Sequence, residues 1–329
     1  LTDSATLIGR SGVVRDIVHC LRDEGRAGAL IVGGAGSGKT VVVKAVLAEL
    51  KPQGSVIRLA ATPALAAVRF GALTPYLAGL ADHDLDSYAA VLGAVTASLR
   101  SEPALALFVI DDAQHLDPGT VQLIAQAVAT GAARVLAACR PGLLVPEEFL
   151  ALWGDGLISK FDLAALSRAE VHQLCEQVLR ADVSPWVSEL FSAVTGGNPF
   201  MLISLIDHAR DTGAIGNRRG TWFLLAPPDL GDVPAADLVD HQLRSMSAEE
   251  RTAAAIVSLA GPLSLGQILR FSSPRAVDAL EMAGIITVSR DLDRIVRPAS
   301  PLIGEIIRRR VPAGRSASLR SSLLALPWV

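Results

Sequence analysis

The sequence predicts an α/β fold, a three-layered parallel-sheet domain, followed by a small helical domain and a winged-helix domain. Three observations predict it. A glycine-rich loop stands between an apolar run and a helix-like stretch within residues 29–50. A second apolar run, residues 104–110, ends abruptly in two carboxylates. Apolar runs and helical stretches alternate to about residue 163, and helical patterns dominate after it. Alternation of this kind implies parallel strands joined by crossover helices.

The glycine-rich loop is Gly33-Gly34-Ala35-Gly36-Ser37-Gly38-Lys39-Thr40, which fits the phosphate-binding pattern G-x-x-x-x-G-K-[ST]. Ala29-Leu30-Ile31-Val32 ahead of it suits a buried strand, and Val41 to Leu50 behind it reads as a helix. Strand, loop and helix are the context that this motif requires. The glycines let backbone N–H groups turn inward on phosphates. The helix start adds about half a positive charge. Lys39 is expected to reach the β- and γ-phosphates of ATP and Thr40 to ligate Mg²⁺, with Val41 completing the nucleotide-binding set.

The second apolar run ends at Asp111-Asp112, the arrangement that follows a P-loop in nucleoside-triphosphatases. Asp111 is expected to hold Mg²⁺ directly or through water. Asp112 stands where many ATPases carry the Glu that orients the attacking water, and Asp is one methylene shorter. Asp117-Pro118 opens a helix over about 119–129, with Asp117 as its N-cap. Residues 133–139 read as a further buried strand ending in Arg140. A guanidinium at that tip can pair with γ-phosphate oxygens; the alternative is an ordinary surface Arg. Helix 13–24, with Val14, Ile17, Val18 and Leu21 on one face, precedes the loop. Residues 55–60 and 157–163 supply two more strands. Residues 62–100 form a variable helical stretch broken by Pro63 and Pro75, and His83 reads as an ordinary polar-loop residue.

Ser167 and Glu170 form a capping box that opens a helix to about Arg180. Ser184-Pro185 starts another, Thr195 to Phe200 interrupts, and a third runs to about Arg210. A hairpin is expected over 213–225, and Pro227, Pro228 and Pro234 mark a linker. Helices at 248–259, 265–271 and 274–283, strands at 285–289 and 294–297, and a helix at 300–310 give a winged-helix pattern. The expected domains are 1–163, 164–212, 213–234 and 235–329.

At 329 residues the chain has room for two or three domains. A formal net charge of −3 lacks the basic excess of a domain that grips nucleic acid, so DNA contact is expected outside this chain. The one dense basic run, Arg308-Arg309-Arg310, reads as a solvated helix end. Cys20, Cys139 and Cys175 are isolated, as reduced thiols of a cytosolic protein are. No stretch of about 18 uninterrupted apolar residues occurs, so no membrane span is expected. The start, Leu1-Thr2-Asp3-Ser4, lacks signal-peptide character and an initiator Met, which points to an excised or processed piece. No Asn-Lys-x-Asp or Thr-Lys-x-Asp segment occurs, so adenine is expected over guanine.

Leu-Ile-Gly-Arg at 7–10, the P-loop, Ile-Asp-Asp-Ala-Gln-His-Leu-Asp at 110–117, Arg140, Gly-Gly-Asn-Pro-Phe at 196–200 and Ser-Pro-Leu-Ile at 300–303 together resemble STAND ATPases. More narrowly, the order looks like the N-terminal, AAA+-like ATPase module of large LuxR-type transcriptional regulators, the group that includes the bacterial maltose regulator. The resemblance implies that Ile8, Gly9 and Arg10 border the adenine and ribose, and that Gly33 to Thr40 hold the phosphates. It further implies that Asp111 serves Mg²⁺, Asp112 the water and Arg140 the γ-phosphate. Pro199 would pack near the adenine, with Asn198 shaping that turn. Relatives commonly read His-Pro-Leu where this chain has Ser300-Pro301-Leu302, so a resting-state latch onto ADP at Ser300 is in question. The implied function is a slow ATPase switch in the bacterial cytoplasm. ATP would favour an open form able to self-associate and ADP a closed one, with sensor and DNA-binding domains beyond this chain. Two alternatives remain open: a DNA-binding ATPase of the AAA+ replication-initiator type, and a nucleotide-binding scaffold without hydrolysis.

Overall fold

The computed structural model describes residues 7–23, 25–52, 54–77, 90–91, 93–95, 105–141 and 145–324. His83 and much of the expected helical stretch at 62–100 lie outside the described residues. The chain divides into two compact units: Arg10–Gly34 with Gly38–Ala164, and Leu1–Gly9 with Ala35–Ser37 and Ala165–Val329.

The first unit holds a five-stranded sheet, with β1 (Gly28–Val32), β2 (Val56–Ala60), β3 (Ala106–Asp111), β4 (Ala133–Cys139) and β5 (Ile158–Asp162). All neighbours pair in parallel, in the order β2-β3-β4-β1-β5. Every residue of β1 is buried, as are the first five of β3 and the last five of β4. Burial on both faces is why these strands read as continuous apolar runs rather than as alternating ones. Among the described residues, helices α1 (Ser11–Arg22), α2 (Lys39–Leu50), α3 (Pro118–Ala129) and α4 (Glu147–Gly154) accompany them. The face of α1 expected from its spacing, Val14, Ile17, Val18 and Leu21, is the buried one. A five-stranded parallel sheet with crossover helices is the α/β fold of P-loop nucleoside-triphosphatases.

Helix α4 was not anticipated from the sequence. Its signals are short, with Pro146 ahead of it, Glu147 and Glu148 in the first turn, and Phe149 and Leu152 buried at i, i+3. The β2-to-β3 connection starts with two 3₁₀ turns, Leu65–Ala67 and Gly71–Tyr76. Between them Phe70 is buried with φ +55°, and its N–H donates to Asp117 Oδ1 at 2.9 Å. Asp117 also caps α3, accepting from Thr120 N at 3.1 Å and Thr120 Oγ1 at 2.5 Å. One carboxylate therefore pins two loops.

The second unit begins with α5 (Arg168–Leu179), α6 (Pro185–Thr195) and α7 (Pro199–Asp211). The Ser167/Glu170 capping box is formed as expected. A small sheet follows, in which β7 (Ile215–Arg218) and β8 (Thr221–Leu224) make the expected hairpin and β6 (Asp182–Val183) adds to β8 in parallel. Next come α8 (Ala236–Arg244), α9 (Ala248–Ala260), β9 (Leu263–Ser264), α10 (Leu265–Ile268), α11 (Pro274–Met282), β10 (Ile286–Val288), β11 (Ile295–Pro298), α12 (Pro301–Arg310) and α13 (Ala313–Leu324). Strands β10, β11 and β9 form an antiparallel sheet in that order. One apolar core, including Phe191, Leu205, Ile256, Leu280 and Ile306, runs through this unit. Helices α8 and α13 were not anticipated: the prolines before α8 read as linker, and α13 is rich in serine.

The arginine run at the end of α12 is exposed, as expected of a solvated helix end, and it is also paired. Arg308 donates to Ser258 O at 3.1 Å, Arg309 pairs with Asp229 at 2.5 Å, and Arg310 with Asp240 at 2.9 Å. Glu305 pairs with both Arg308 and Arg309. The run ties α12 to α8, α9 and the preceding loop, and its charge is locally neutralised.

Candidate nucleotide site

The strand order places β4 between β1 and β3. Their C-terminal ends therefore bring Gly33, Arg140 and Asp111 to one edge of the sheet. In open α/β sheets that edge is where ligands bind. Gly33 N continues the β1–β4 ladder one step, donating to Cys139 O at 3.1 Å. The loop then leaves the sheet and α2 begins at Lys39, with Gly38 in the left-handed region at φ +93°. That backbone suits glycine alone at low cost.

Lys39 is buried, and its Nζ donates to Gly33 O at 2.9 Å and Gly34 O at 3.1 Å. Burial is the main cause that lowers its pKa; Asp112 and Asp111 oppose the shift and Arg140 adds to it. Thr40 Oγ1 donates to Asp111 Oδ2 at 2.5 Å. A hydroxyl and a carboxylate oxygen from α2 and β3 thus meet, and hard oxygen donors of this kind suit Mg²⁺. Arg140 is half-buried, and its buried Nε has no hydrogen-bond partner among the described residues. An orphaned guanidinium N–H beside a glycine loop is a donor that an anion can satisfy. These residues fit a Mg²⁺-nucleotide.

Asp112 follows β3 in the left-handed region, at φ +55°. Its N–H donates to Asp111 Oδ1 at 3.1 Å. The residue that sequence reasoning missed is Gln114. Its Nε2 donates to Asp112 Oδ1 at 2.8 Å, and its Oε1 accepts from Arg140 N at 3.1 Å. Its position two residues past the carboxylate pair was the available signal, but nothing in the sequence showed that it faces Arg140. His115, beside it, has its pKa lowered, mainly by burial. Burial likewise pushes the Cys139 thiol up to about 11.

Arg10 belongs to the same unit, where it is buried and its Nη2 donates to Ala164 O at 2.6 Å. Gly34 and Val41 belong to it too, and the remaining expected residues lie in the second unit. There Ile8 packs on the apolar core, and a Cβ on Gly9 would come within 2.6 Å of Glu170 Oε1. Ala35, Gly36 and Ser37 group with this unit. Asn198 Nδ2 donates to Ala35 O at 2.8 Å, and Phe200 N donates to Gly36 O at 3.3 Å. A Cβ on Gly36 would approach Asn198 Oδ1 to 2.7 Å. Asn198 also caps α7, of which Pro199 is the first residue. Ser300 is buried and its Oγ accepts from Ile303 N at 3.3 Å, capping α12.

Residues 6–138 match the family model described as AAA ATPase domain. No curated protein matches the chain. Among solved structures, a STAND protein with a tetratricopeptide-repeat sensor from Pyrococcus horikoshii matches at 16% identity, TM-score 0.38, over 96% of this chain. This chain spans 45% of that protein's length. The ORC1 protein of Aeropyrum pernix, in complex with DNA, matches at 16% identity and TM-score 0.48, over 95% of this chain and 94% of that one. The RuvB Holliday junction branch migration motor of Thermotoga maritima matches at 15% identity and TM-score 0.47, over 86% and 91%. Motif, sheet and family model agree on a P-loop ATPase module. No helix among the described residues is long and apolar enough to cross a membrane.

Proposed function

We propose that this chain is an ATP-binding, slowly hydrolysing switch, and that it is the N-terminal regulatory portion of a LuxR-type transcriptional regulator of the STAND kind. The observation that carries the ATPase reading is the meeting of Thr40 with Asp111 at 2.5 Å, beside Lys39, Asp112 and Arg140. Gly34 and Gly38 leave backbone room for phosphates, and Lys39 would exchange its two carbonyl partners for phosphate oxygens. Thr40 and Asp111 would hold Mg²⁺, which supplies charge neutralisation at the phosphates. Asp112 would orient a water for attack on the γ-phosphorus. The new P–O bond forms as the bond to the ADP oxygen breaks with its electron pair. The water's proton passes to Asp112 and then to solvent. Arg140 would stabilise charge on the γ-phosphate.

For the second unit, the order α9, β9, α10, α11, β10, β11 supports a winged-helix reading, and α5 to α7 support a small helical domain. Ile8, Gly9, Arg10 and Pro199 are assigned to the adenine side on the resemblance already described. Bacterial cytoplasmic location and nucleotide-dependent self-association belong to the same reading.

Phosphate release tests the hydrolysis. Asp112→Ala is expected to release phosphate at least about 100-fold more slowly than the parent, with nucleotide affinity within about threefold. Equal rates in the two would leave a nucleotide-binding scaffold as the better reading.

The initiator alternative requires DNA contact by this chain. The exposed positions Arg275, Asp278 and Glu281 of α11 are mixed in sign, and the arginine run on α12 is paired. Filter binding is therefore expected to show no salt-sensitive retention of duplex DNA. Retention that weakens steeply with salt would favour the initiator.

A further inference from the structure

We propose that Gln114 is a positioning residue that sets the carboxylate of Asp112 and ties it to the main chain of Arg140. The inference rests on the hydrolysis reading above. Its geometry is a two-ended bridge: Nε2 to Asp112 Oδ1 at 2.8 Å, and Oε1 to Arg140 N at 3.1 Å. The orientation of the carboxamide follows from its partners. A backbone N–H can only donate and a carboxylate can only accept, so one end must be oxygen and the other NH₂. Among the described residues, Asp112 Oδ2 makes no hydrogen bond and is left to face a water.

The bridge sits on a rigid turn. Ala113 is fully buried, His115 N donates to Asp112 O at 2.9 Å, and Leu116 N donates to Ala113 O at 3.1 Å. Asp112 itself is held in the left-handed region at φ +55°. A short carboxylate on a backbone of restricted freedom needs its rotamer chosen by a neighbour, and Gln114 chooses it. Because the other end holds the main chain of Arg140, a shift of Arg140 toward the γ-phosphate would pull on Asp112 through one side chain. Recognition of the γ-phosphate and orientation of the water are then coupled without a contact between Asp112 and Arg140.

Gln114→Met keeps the length and removes both hydrogen bonds. Gln114→Glu keeps the acceptor for Arg140 N and places a second carboxylate at Asp112. The charged or titratable groups that act around Asp112 are Lys39, Asp111, His115 and Arg140. In single-turnover hydrolysis, both variants are expected to be slowed roughly 10- to 100-fold with nucleotide Kd within about threefold of the parent. Native-state hydrogen exchange supplies a readout without turnover: the Arg140 amide should lose protection in Gln114→Met and keep it in Gln114→Glu. Parent-like rates in Gln114→Met, unchanged Arg140 protection, or a joint loss of affinity and thermal stability would each overturn the positioning role while leaving the ATPase reading intact. A parent that hydrolyses no faster than Lys39→Ala would overturn both.

Discussion

Lys39→Ala is expected to abolish the stabilisation that ATP or ADP gives the chain. A ligand at 100 times its Kd stabilises the state that binds it by about 2.7 kcal/mol. For a unit of this size that corresponds to a rise of roughly 5–10 °C in melting temperature. Lys39 carries this prediction because its ammonium is buried and bonded to Gly33 O and Gly34 O, the neutral carbonyls that open the P-loop. Phosphate offers it far stronger acceptors. Differential scanning fluorimetry with and without nucleotide checks the result, and an undiminished shift in the variant would remove the P-loop assignment. A pH dependence follows from the same burial. The Lys39 pKa is lowered in the free chain. Bound phosphate would raise it again, so binding takes up a proton wherever the free amine is neutral. Nucleotide affinity should therefore fall as pH rises through the depressed pKa.

Asp117→Ala is expected to cost the largest stability of any single polar change in the first unit. The carboxylate is 3% exposed and accepts from Phe70 N, Thr120 N and Thr120 Oγ1. Its removal takes the Asp117 acceptor from the buried Phe70 N–H, worth about 1–3 kcal/mol, and uncaps α3, worth about 1 kcal/mol. The sum is about 2–4 kcal/mol, read as a lower urea midpoint by far-UV circular dichroism. Phe70 adds to the penalty because its left-handed backbone is held by that bond, and Gly119 leaves no slack, since a Cβ there would lie 3.0 Å from the Phe70 ring. Asp117→Asn retains an acceptor oxygen for Phe70 N and should lose less than half as much. Equal losses in the two variants would mean that charge, not the acceptor, holds the loop.

Much of the architecture was legible because its signals are local. The P-loop spacing, the cap at Asp117 and the capping box at Ser167 each depend on residues within a few positions of one another. Each is found where the sequence put it. Strand β4 was read to its ends, since a buried parallel strand is a continuous apolar run. Helix α8 escaped notice although Asp237 in its first turn and Arg244 in its last are proper helix-end charges. The nearby prolines outweighed them. Arg309 and Arg310 are exposed as read, but their pairing was not legible, because Asp229 and Asp240 lie 80 and 70 residues away in sequence.

By itself, the sequence determined that this protein has a P-loop on a parallel α/β sheet, and it marked Lys39, Thr40 and Asp111 as the candidates for a Mg²⁺-nucleotide. Short-range chemistry suffices for that: glycines permit the loop, and an apolar run ending in carboxylate marks a strand end. The tertiary structure alone decided the strand order β2-β3-β4-β1-β5, which sets β4 between the two motif strands. That order brings Arg140 beside both, and it lets Gln114 reach the Arg140 main chain across 26 positions. Contacts over such separations depend on how strands pair across the sheet, and pairing is settled by the packing of the whole core rather than by any segment's own pattern.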